Sequence, residues 1–182
     1  MPEMARAREM LEDADLIFGT EEVQASIRRM GEEISLQLRD SHPLVLAVMR
    51  GGIFLCGQLL PHLRFPMDLD YVHATRYGPG TTGGRIEWKV RPTTAVSGRD
   101  VLLVDDILDE GLTLAAISDE IRALGARRCL AAVLVEKDLG RVKPFAADFV
   151  GLRVPDRFVF GCGMDAHGLW RNLGEIYALK EA

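Results

Sequence analysis

The sequence lacks the features that mark membrane, secreted and metal-stapled proteins. Only 3 of its 182 residues are cysteine, and neither Cys nor His shows the spacing of a disulfide framework or a zinc site. The longest apolar run of the interior spans only residues 129–135, far less than the roughly 20 residues that cross a bilayer. The amino-terminal residues contain no apolar stretch typical of a secretion signal. We therefore expect a cytoplasmic protein with no membrane partner.

An excess of positive charge is also missing. The 22 Lys and Arg residues are outnumbered by 27 Asp and Glu residues, which gives a formal net charge of −5. Proteins that bind nucleic acid through its phosphates are normally basic, so we expect no nucleic acid partner. An anionic ligand must instead be bound by a local group of hydrogen-bond donors or positive charges, and not by the net charge of the protein. Hydrophobic residues make up 48% of the chain, which suffices for a folded core, and the length predicts a single domain over residues 1–182.

Short apolar runs alternate with helical patterns along the chain. Runs typical of buried strands lie at 44–49, 67–72, 101–104, 130–135, 149–152 and 176–179. Helices are predicted near 21–38, 53–60 and 112–124. This alternation predicts an α/β fold with a mostly parallel twisted sheet flanked by helices, whose ligands bind beyond the carboxyl ends of the strands. The polar, glycine-rich segment at about 75–86 is predicted to be a mobile loop; a passive hairpin is the alternative.

The most informative chemistry follows the apolar run 101–104. Asp105 and Asp106 place two carboxylates at the predicted strand end, and Asp109 follows shortly after. The residues leading from there into the next helix are Glu110, Gly111, Leu112 and Thr113. Amides at a helix N-terminus bind phosphate, so the segment offers acceptors for sugar hydroxyls and donors for a phosphate. The alternative is an acidic loop that only caps the helix, with Asp109 as its N-cap.

This segment closely resembles the phosphoribosyl diphosphate (PRPP) signature of type I phosphoribosyltransferases. The rest of the chain resembles the hypoxanthine-guanine members of that family, in the same order. The similar segments are 49–52 (pyrophosphate loop), 75–78 (mobile catalytic loop), 134–137 (strand with a purine-reading lysine), 154–165 (purine-stacking segment) and 170–173 (terminal arginine site). The resemblance implies the fold of that family, with a small hood built from about 1–20 and 150–182.

The resemblance implies a purine salvage enzyme. Such an enzyme transfers the 5-phosphoribosyl group of PRPP to N9 of hypoxanthine or guanine, giving IMP or GMP and pyrophosphate. Mg²⁺ is the implied cofactor, PRPP and 6-oxopurine bases are the implied substrates, and a homodimer or homotetramer is the implied assembly. The Lys137 ammonium can only donate hydrogen bonds, which favours a 6-oxo purine over adenine. Lys137 as an ordinary surface residue is the alternative.

The resemblance also implies the residues of the site. The implied catalytic residues are Asp109, as general acid/base at purine N7, with Arg76 and Tyr77. Ribose and 5-phosphate would be bound by Asp105, Asp106, Asp109, Glu110, Gly111, Leu112 and Thr113. Pyrophosphate would be bound by Arg50, Gly51 and Arg171. The purine would be bound by Lys137, Phe158, Val159 and Asp165. The metal would be held by Asp105, Asp106 and Asp165. The family often has a cis peptide at the position of Arg50–Gly51; a plain tight turn is the alternative.

Other functions stay open at the level of sequence. The enzyme could prefer xanthine or another base. A non-catalytic RNA regulator that binds PRPP or a nucleotide on the same fold is a further alternative, although the net charge of −5 argues against it. A protein that only binds, without catalysis, would not need Asp109, Lys137 and Arg171 together, because packing requires none of them.

Overall fold

The computed structural model of the chain describes residues 2–76 and 86–180. The helices in these ranges are α1 (Pro2–Asp13), α2 (Thr20–Leu38), α3 (Ile53–Leu59) and α4 (Leu112–Ala123), with a 3-10 turn at Leu60–His62. The strands are β1 (Asp15–Phe18), β2 (Leu44–Val48), β3 (Asp68–Arg76), β4 (Ile86–Val90), β5 (Asp100–Leu108), β6 (Arg128–Asp138), β7 (Phe149–Pro155), β8 (Val159–Phe160) and β9 (Ile176–Ala178).

Two sheets organise these elements. The larger has the strand order β4-β3-β2-β5-β6-β7; its five strands from β3 to β7 pair in parallel, and β4 pairs antiparallel with β3. The smaller sheet has the order β1-β9-β8 and is built from segments near the two ends of the chain. The predicted α/β fold with a mostly parallel sheet, flanking helices and a small terminal hood is confirmed.

The central strands are apolar because helices cover both faces of the larger sheet. All five residues of β2 are buried. Successive side chains of a strand point to opposite faces, so the residues of β2 and β5 divide between two apolar clusters. One cluster contains Met30 and Ile34 of α2 and Leu55 of α3. The other contains Ile117 and Ile121 of α4. The continuous apolar runs of the sequence are thus strands buried on both sides.

Some predicted boundaries are wrong, and strand pairing explains the first two of them. β5 does not end at residue 104 but continues to Leu108, because β6 pairs with it as far as Leu108 and Glu136. Residues 149–155 form the edge strand of the larger sheet, so the hood does not begin at residue 150. The N-cap of α4 is Gly111, at φ +80°. Asp109 is therefore not the N-cap residue, contrary to the capping alternative.

Two further observations concern membranes and cysteines. Within residues 2–76 and 86–180, no helix combines the length and the apolar character that a bilayer-crossing segment requires. Cys56, Cys129 and Cys162 are free thiols buried in the interior. Burial raises the pKa of the Cys56 thiol, and burial together with the nearby Glu175 raises that of Cys162 to about 12. These cysteines are therefore neutral packing residues.

Candidate active site

The turn after β2 packs directly onto the end of β5. The Asp106 side chain lies so close that a Cβ added at Gly51 would be 1.8 Å from Asp106 Oδ2. A Cβ added at Gly52 would lie 2.2 Å from the carbonyl oxygen of Val104. Only glycine fits at these two positions. The two glycines predicted for a pyrophosphate loop therefore bring that turn against the carboxylate of the PRPP-like signature.

Asp105 and Asp106 form a pair of carboxyl groups within β5, of which Asp106 is buried and Asp105 is partly buried. The backbone amide of Asp106 donates to Asp105 Oδ1 at 2.9 Å, and the amide of Ile107 donates to Asp106 Oδ1 at 2.8 Å. Burial, and then the adjacent Asp106 charge, raise the pKa of Asp105 well above its usual range. Burial also raises the pKa of Asp106, and Arg171 is among the groups that oppose this shift. Ionising both acids is costly unless hydroxyl donors or a cation bind them.

The segment after β5 encloses a cavity at the start of α4. The cavity has a volume of about 390 Å³ and is lined by residues 105–114. Gly111 takes a left-handed conformation, which turns the chain sharply from the strand into the helix. The first amides of a helix have no intrahelical acceptor. The amides that follow Gly111 are therefore available to an anion in this cavity, and the Thr113 hydroxyl lies in the same lining.

A smaller cavity of about 180 Å³ adjoins this segment. Its lining residues are Asp106, Ile107, Asp109, Lys137, Phe158, Val159, Met164 and Asp165. The ammonium of Lys137 lies 3.3 Å from Asp109 Oδ1 and 3.7 Å from Asp156 Oδ1. The Lys137 side chain is only 12% exposed, so it points into the cavity and is not a free surface lysine. All four residues predicted to bind the purine line this one cavity.

Arg171 and Asp165 are joined by an ion pair. One guanidinium nitrogen of Arg171 donates to Asp165 Oδ1, and the other donates to the carbonyl of Gly163 at 2.6 Å. The second oxygen of Asp165 accepts the amide of Gly168 at 2.7 Å. A Cβ at Gly163 would lie 2.2 Å from the carbonyl oxygen of Gly51. The segment that holds Arg171 therefore packs beside the turn after β2. This contact brings two of the residues predicted to bind pyrophosphate, Gly51 and Arg171, to the same region.

Some predicted site features fall outside the described residues or differ from the prediction. Tyr77 is outside the described residues, as is the rest of the predicted mobile loop up to residue 85. Arg76 is the last residue of β3, and only its backbone is described. The cis peptide bond joins Met49 to Arg50, so the expected position at Arg50–Gly51 is wrong by one residue. The glycine at 51 meets a packing requirement instead, because Asp106 occupies the space of a side chain.

Sequence reasoning missed several residues of the site. Asp156 is the second carboxylate beside Lys137; its position within the purine-stacking segment 154–165 could have suggested it. His167 stacks on Phe158 with ring centroids 6.4 Å apart and an interplanar angle of 13°. The buried Lys143 side chain bonds to backbone carbonyls at the ends of β5 and β6. No sequence pattern identifies the last two, because both depend on contacts formed only in the fold.

Comparison with known proteins shows the family to which this chain is similar. The model of the phosphoribosyl transferase domain matches residues 15–167. A hypoxanthine-guanine phosphoribosyltransferase of Bacillus subtilis is 33% identical over 168 residues, which cover 92% of this chain and 93% of that protein. A hypoxanthine-guanine-xanthine phosphoribosyltransferase of Tritrichomonas foetus is 29% identical over 175 residues, covering 95% of this chain and 96% of that protein.

Solved structures agree with this placement. The hypoxanthine phosphoribosyltransferase of Staphylococcus aureus superposes with a TM-score of 0.87 over 94% of both chains, at 24% identity, and so shares the fold. A hypoxanthine-guanine-xanthine phosphoribosyltransferase gives a TM-score of 0.84 at 28% identity, covering 93% of this chain and 99% of its own. The chain therefore belongs to the type I phosphoribosyltransferase family, among its hypoxanthine-guanine members.

Proposed function

We propose that this protein transfers the 5-phosphoribosyl group of PRPP to N9 of hypoxanthine or guanine. The bond between ribose C1 and the pyrophosphate oxygen breaks, a bond from C1 to purine N9 forms, and the purine gives up one proton. The observation that carries the proposal is the pair formed by Lys137 and Asp109, 3.3 Å apart, in a cavity that adjoins the phosphate-binding segment. One site thus offers a hydrogen-bond donor for the 6-oxo group of the purine and a carboxylate for proton transfer. Both lie next to the segment that would bind the sugar phosphate.

The purine would bind in the smaller cavity. Lys137 would donate to the 6-oxo group, Phe158 would stack on the ring and the backbone of Val159 would bond its edge. An ammonium has no acceptor, so the exocyclic amino group of adenine would face a second donor at this position. Leaving a buried donor unpaired costs about 1–3 kcal/mol. We therefore expect hypoxanthine and guanine to be used and adenine to be used poorly.

Asp109 would act as the general acid/base at purine N7. Its carboxylate is half exposed before substrate binds and is held towards the purine cavity by the Lys137 ammonium. A proton-transfer group must lie within hydrogen-bond reach of the atom that it serves. A purine whose 6-oxo group meets Lys137 places N7 on the same edge of the ring. The neighbouring positions of Lys137 and Asp109 match that edge.

The sugar phosphate would bind along the signature segment. Asp105 and Asp106 would accept hydrogen bonds from the ribose hydroxyls, and the amides from Glu110 to Thr113 would hold the 5-phosphate. The carboxylate oxygens of the acid pair also suit Mg²⁺, an ion that takes oxygen ligands from one or two carboxylates and substrate phosphates. When bound, Mg²⁺ would neutralise charge on the pyrophosphate. Asp165, the third predicted ligand, accepts one hydrogen bond on each oxygen and so keeps lone pairs for a metal ion.

The leaving pyrophosphate would face the turn after β2. Arg50, Gly51 and Arg171 would bind it, the first two through this turn and Arg171 through its guanidinium. Arg76 and Tyr77 are the residues proposed to shield the oxocarbenium-like transition state from water; Tyr77 lies outside the described residues. Such shielding matters because water would otherwise attack C1 in place of the purine, giving ribose 5-phosphate and pyrophosphate.

We further propose a homodimer or homotetramer in the cytoplasm. The exposed apolar side chains of Ile53, Leu69 and Tyr71 border a cavity of about 500 Å³ between α3 and β3. Clustered exposed apolar residues mark interaction sites, and a second copy of the chain is the proposed occupant. Light scattering after size-exclusion chromatography tests this: wild type is expected above the monomer mass and Leu69→Asp near it. A monomeric wild type would refute the assembly.

The cytoplasm is proposed because the three buried free thiols fit a reducing compartment.

Nucleotide formation tests the proposed reaction. The protein is incubated with PRPP and Mg²⁺, and hypoxanthine, guanine, xanthine, adenine and uracil are offered in parallel. Products from hypoxanthine and guanine, with little from adenine, are expected. Xanthine as the best substrate would replace the assignment by the xanthine-preferring alternative. No product from any base, although PRPP binds, would refute the proposed reaction and point to the regulator.

A further inference from the structure

A lysine outside the predicted site holds the backbone of two residues inside it. Lys143 lies in the connection between β6 and β7. Its ammonium donates to the carbonyl oxygen of Leu108 at 2.9 Å and also to the carbonyl oxygen of Lys137. The Lys143 side chain is only 7% exposed. Its charge has therefore been brought into the interior, next to the carboxyl ends of β5 and β6.

The surroundings show that the carbonyls are the main partners of this ammonium. A buried charge is costly unless it is hydrogen-bonded or paired. The nearest carboxylate oxygen, Glu136 Oε1, is 3.9 Å away, and the other oxygen of Glu136 accepts from Arg153 at 3.1 Å. Both carbonyls are much closer to the ammonium. Hydrogen bonds from a charged donor to such acceptors are stronger than neutral ones.

The hydrogen bonds of Lys143 lie at the point where the pairing between β5 and β6 ends. The pairing between β5 and β6 ends with Leu108 opposite Glu136. Asp109 follows Leu108 directly, so the Leu108 carbonyl belongs to the peptide bond that leads into Asp109. The second carbonyl is that of Lys137 itself. Beyond the last strand pair, Lys143 thus joins the backbones of the two residues that face the purine cavity.

Lys143 is itself held in place by its neighbours. Arg141 donates to Glu110 Oε1 at 3.0 Å. Phe145 packs on the phosphate segment, where a Cβ added at Gly111 would lie 3.3 Å from Phe145 Cβ. The connection therefore contacts the phosphate segment on both sides of Lys143, through an exposed ion pair at Arg141 and through packing at Phe145. A fixed donor can hold the two carbonyls at a constant separation, whereas a donor on a loose segment could not.

We propose that Lys143 is a positioning residue for phosphoribosyl transfer, because it fixes the separation of Asp109 and Lys137. This inference rests on the proposed function of that pair. The two side chains must meet N7 and the 6-oxo group of one rigid purine together, so their spacing decides whether the base is both recognised and activated. A displacement of about 1 Å can lower a rate by about 100-fold.

The test replaces the ammonium and keeps the bulk of the side chain. Lys143→Met is expected to lower kcat/KM for hypoxanthine by roughly 10- to 100-fold, with little change in the affinity for PRPP. The preference for hypoxanthine over adenine should fall as well, because a displaced Lys137 no longer reads the 6-oxo group. A loss of folded protein alone would lower the rates with both bases equally. Lys143→Gln, which keeps one donor, should retain part of the preference.

Lys89→Met is the matched control, because Lys89 is exposed on β4. All variants are assayed well below their melting temperatures, and their calorimetric affinities for IMP and AMP give a readout independent of turnover. If Lys143→Met fails to fold, the Gln variant carries the same test. Wild-type preference for hypoxanthine and for IMP in the folded variant would overturn the inference alone. An inactive wild type would overturn the proposed function, and the inference with it.

Discussion

Substituting Asn for Asp109 separates the chemistry of the site from its binding functions. The change removes the charge and proton-accepting ability of the carboxylate but keeps its shape. Lys137 would still have Asp156 Oδ1 at 3.7 Å, so its ammonium is not left without a carboxylate. Asp109 is 50% exposed, and exposed ion pairs contribute only about 0–1 kcal/mol. We therefore expect the free energy of unfolding to change by less than about 1 kcal/mol.

The effect on turnover should be much larger. Positioned general acid/base groups typically contribute 10²- to 10⁴-fold, so kcat for IMP formation should fall by roughly that factor in Asp109→Asn. PRPP affinity should change little, because the amides after Gly111 and the acid pair in β5 are intact. Asp156→Asn is the matched control. It removes the other carboxylate beside Lys137. It should leave kcat within about threefold of wild type, because Asp156 is not proposed to transfer a proton.

The assay is steady-state IMP formation with saturating PRPP, together with PRPP binding by calorimetry. Wild-type turnover by Asp109→Asn would refute the assignment of the general acid/base. Equal losses in Asp109→Asn and Asp156→Asn would also count against it, because the common cause would then be the environment of Lys137. Normal binding with a large loss in kcat for Asp109→Asn alone is the expected result.

Three further predictions concern other parts of the molecule. Gly51→Ala should weaken PRPP binding, measured by calorimetry, because the new Cβ would lie 1.8 Å from Asp106 Oδ2; unchanged affinity would contradict a role for this turn. Arg171→Ala should raise the Kd for pyrophosphate more than the KM for hypoxanthine, and the reverse order would remove Arg171 from the pyrophosphate site. Asp100→Asn should lower the free energy of unfolding at pH 7 by about 1–3 kcal/mol. Hydrogen bonds from Arg127 and Arg128 lower the pKa of Asp100 in the folded state. The ionised Asp100 therefore stabilises the fold above its unfolded pKa of about 4. This stabilisation is lost as pH falls further, and acid denaturation of the variant should therefore show a weaker pH dependence than that of wild type.

Much of the fold and the phosphate-binding segment could be predicted because their determinants are local. Apolar runs of strand length and a helical repeat specify their own elements, and residues 105–113 carry acids, a glycine and a helix start in one stretch. The limits of those elements could not be predicted in the same way. β5 extends to Leu108 because β6 offers it a backbone partner, and 149–155 joins the larger sheet for the same reason.

The purine side of the site depends on residues far apart in the chain. The chain supplies the chemical groups, namely a carboxylate at 109, an ammonium at 137 and a guanidinium at 171, and these can be identified before any folding. Their partners follow from the fold alone: Lys137 pairs with Asp109 and Asp156, and Arg171 pairs with Asp165. The same is true of Lys143, which bonds to the backbone carbonyls of Leu108 and Lys137. Hydrogen bonds and ion pairs form only when the two groups are a few ångströms apart. Spacing along a chain sets such distances only within one element, and the packing of different elements sets the rest.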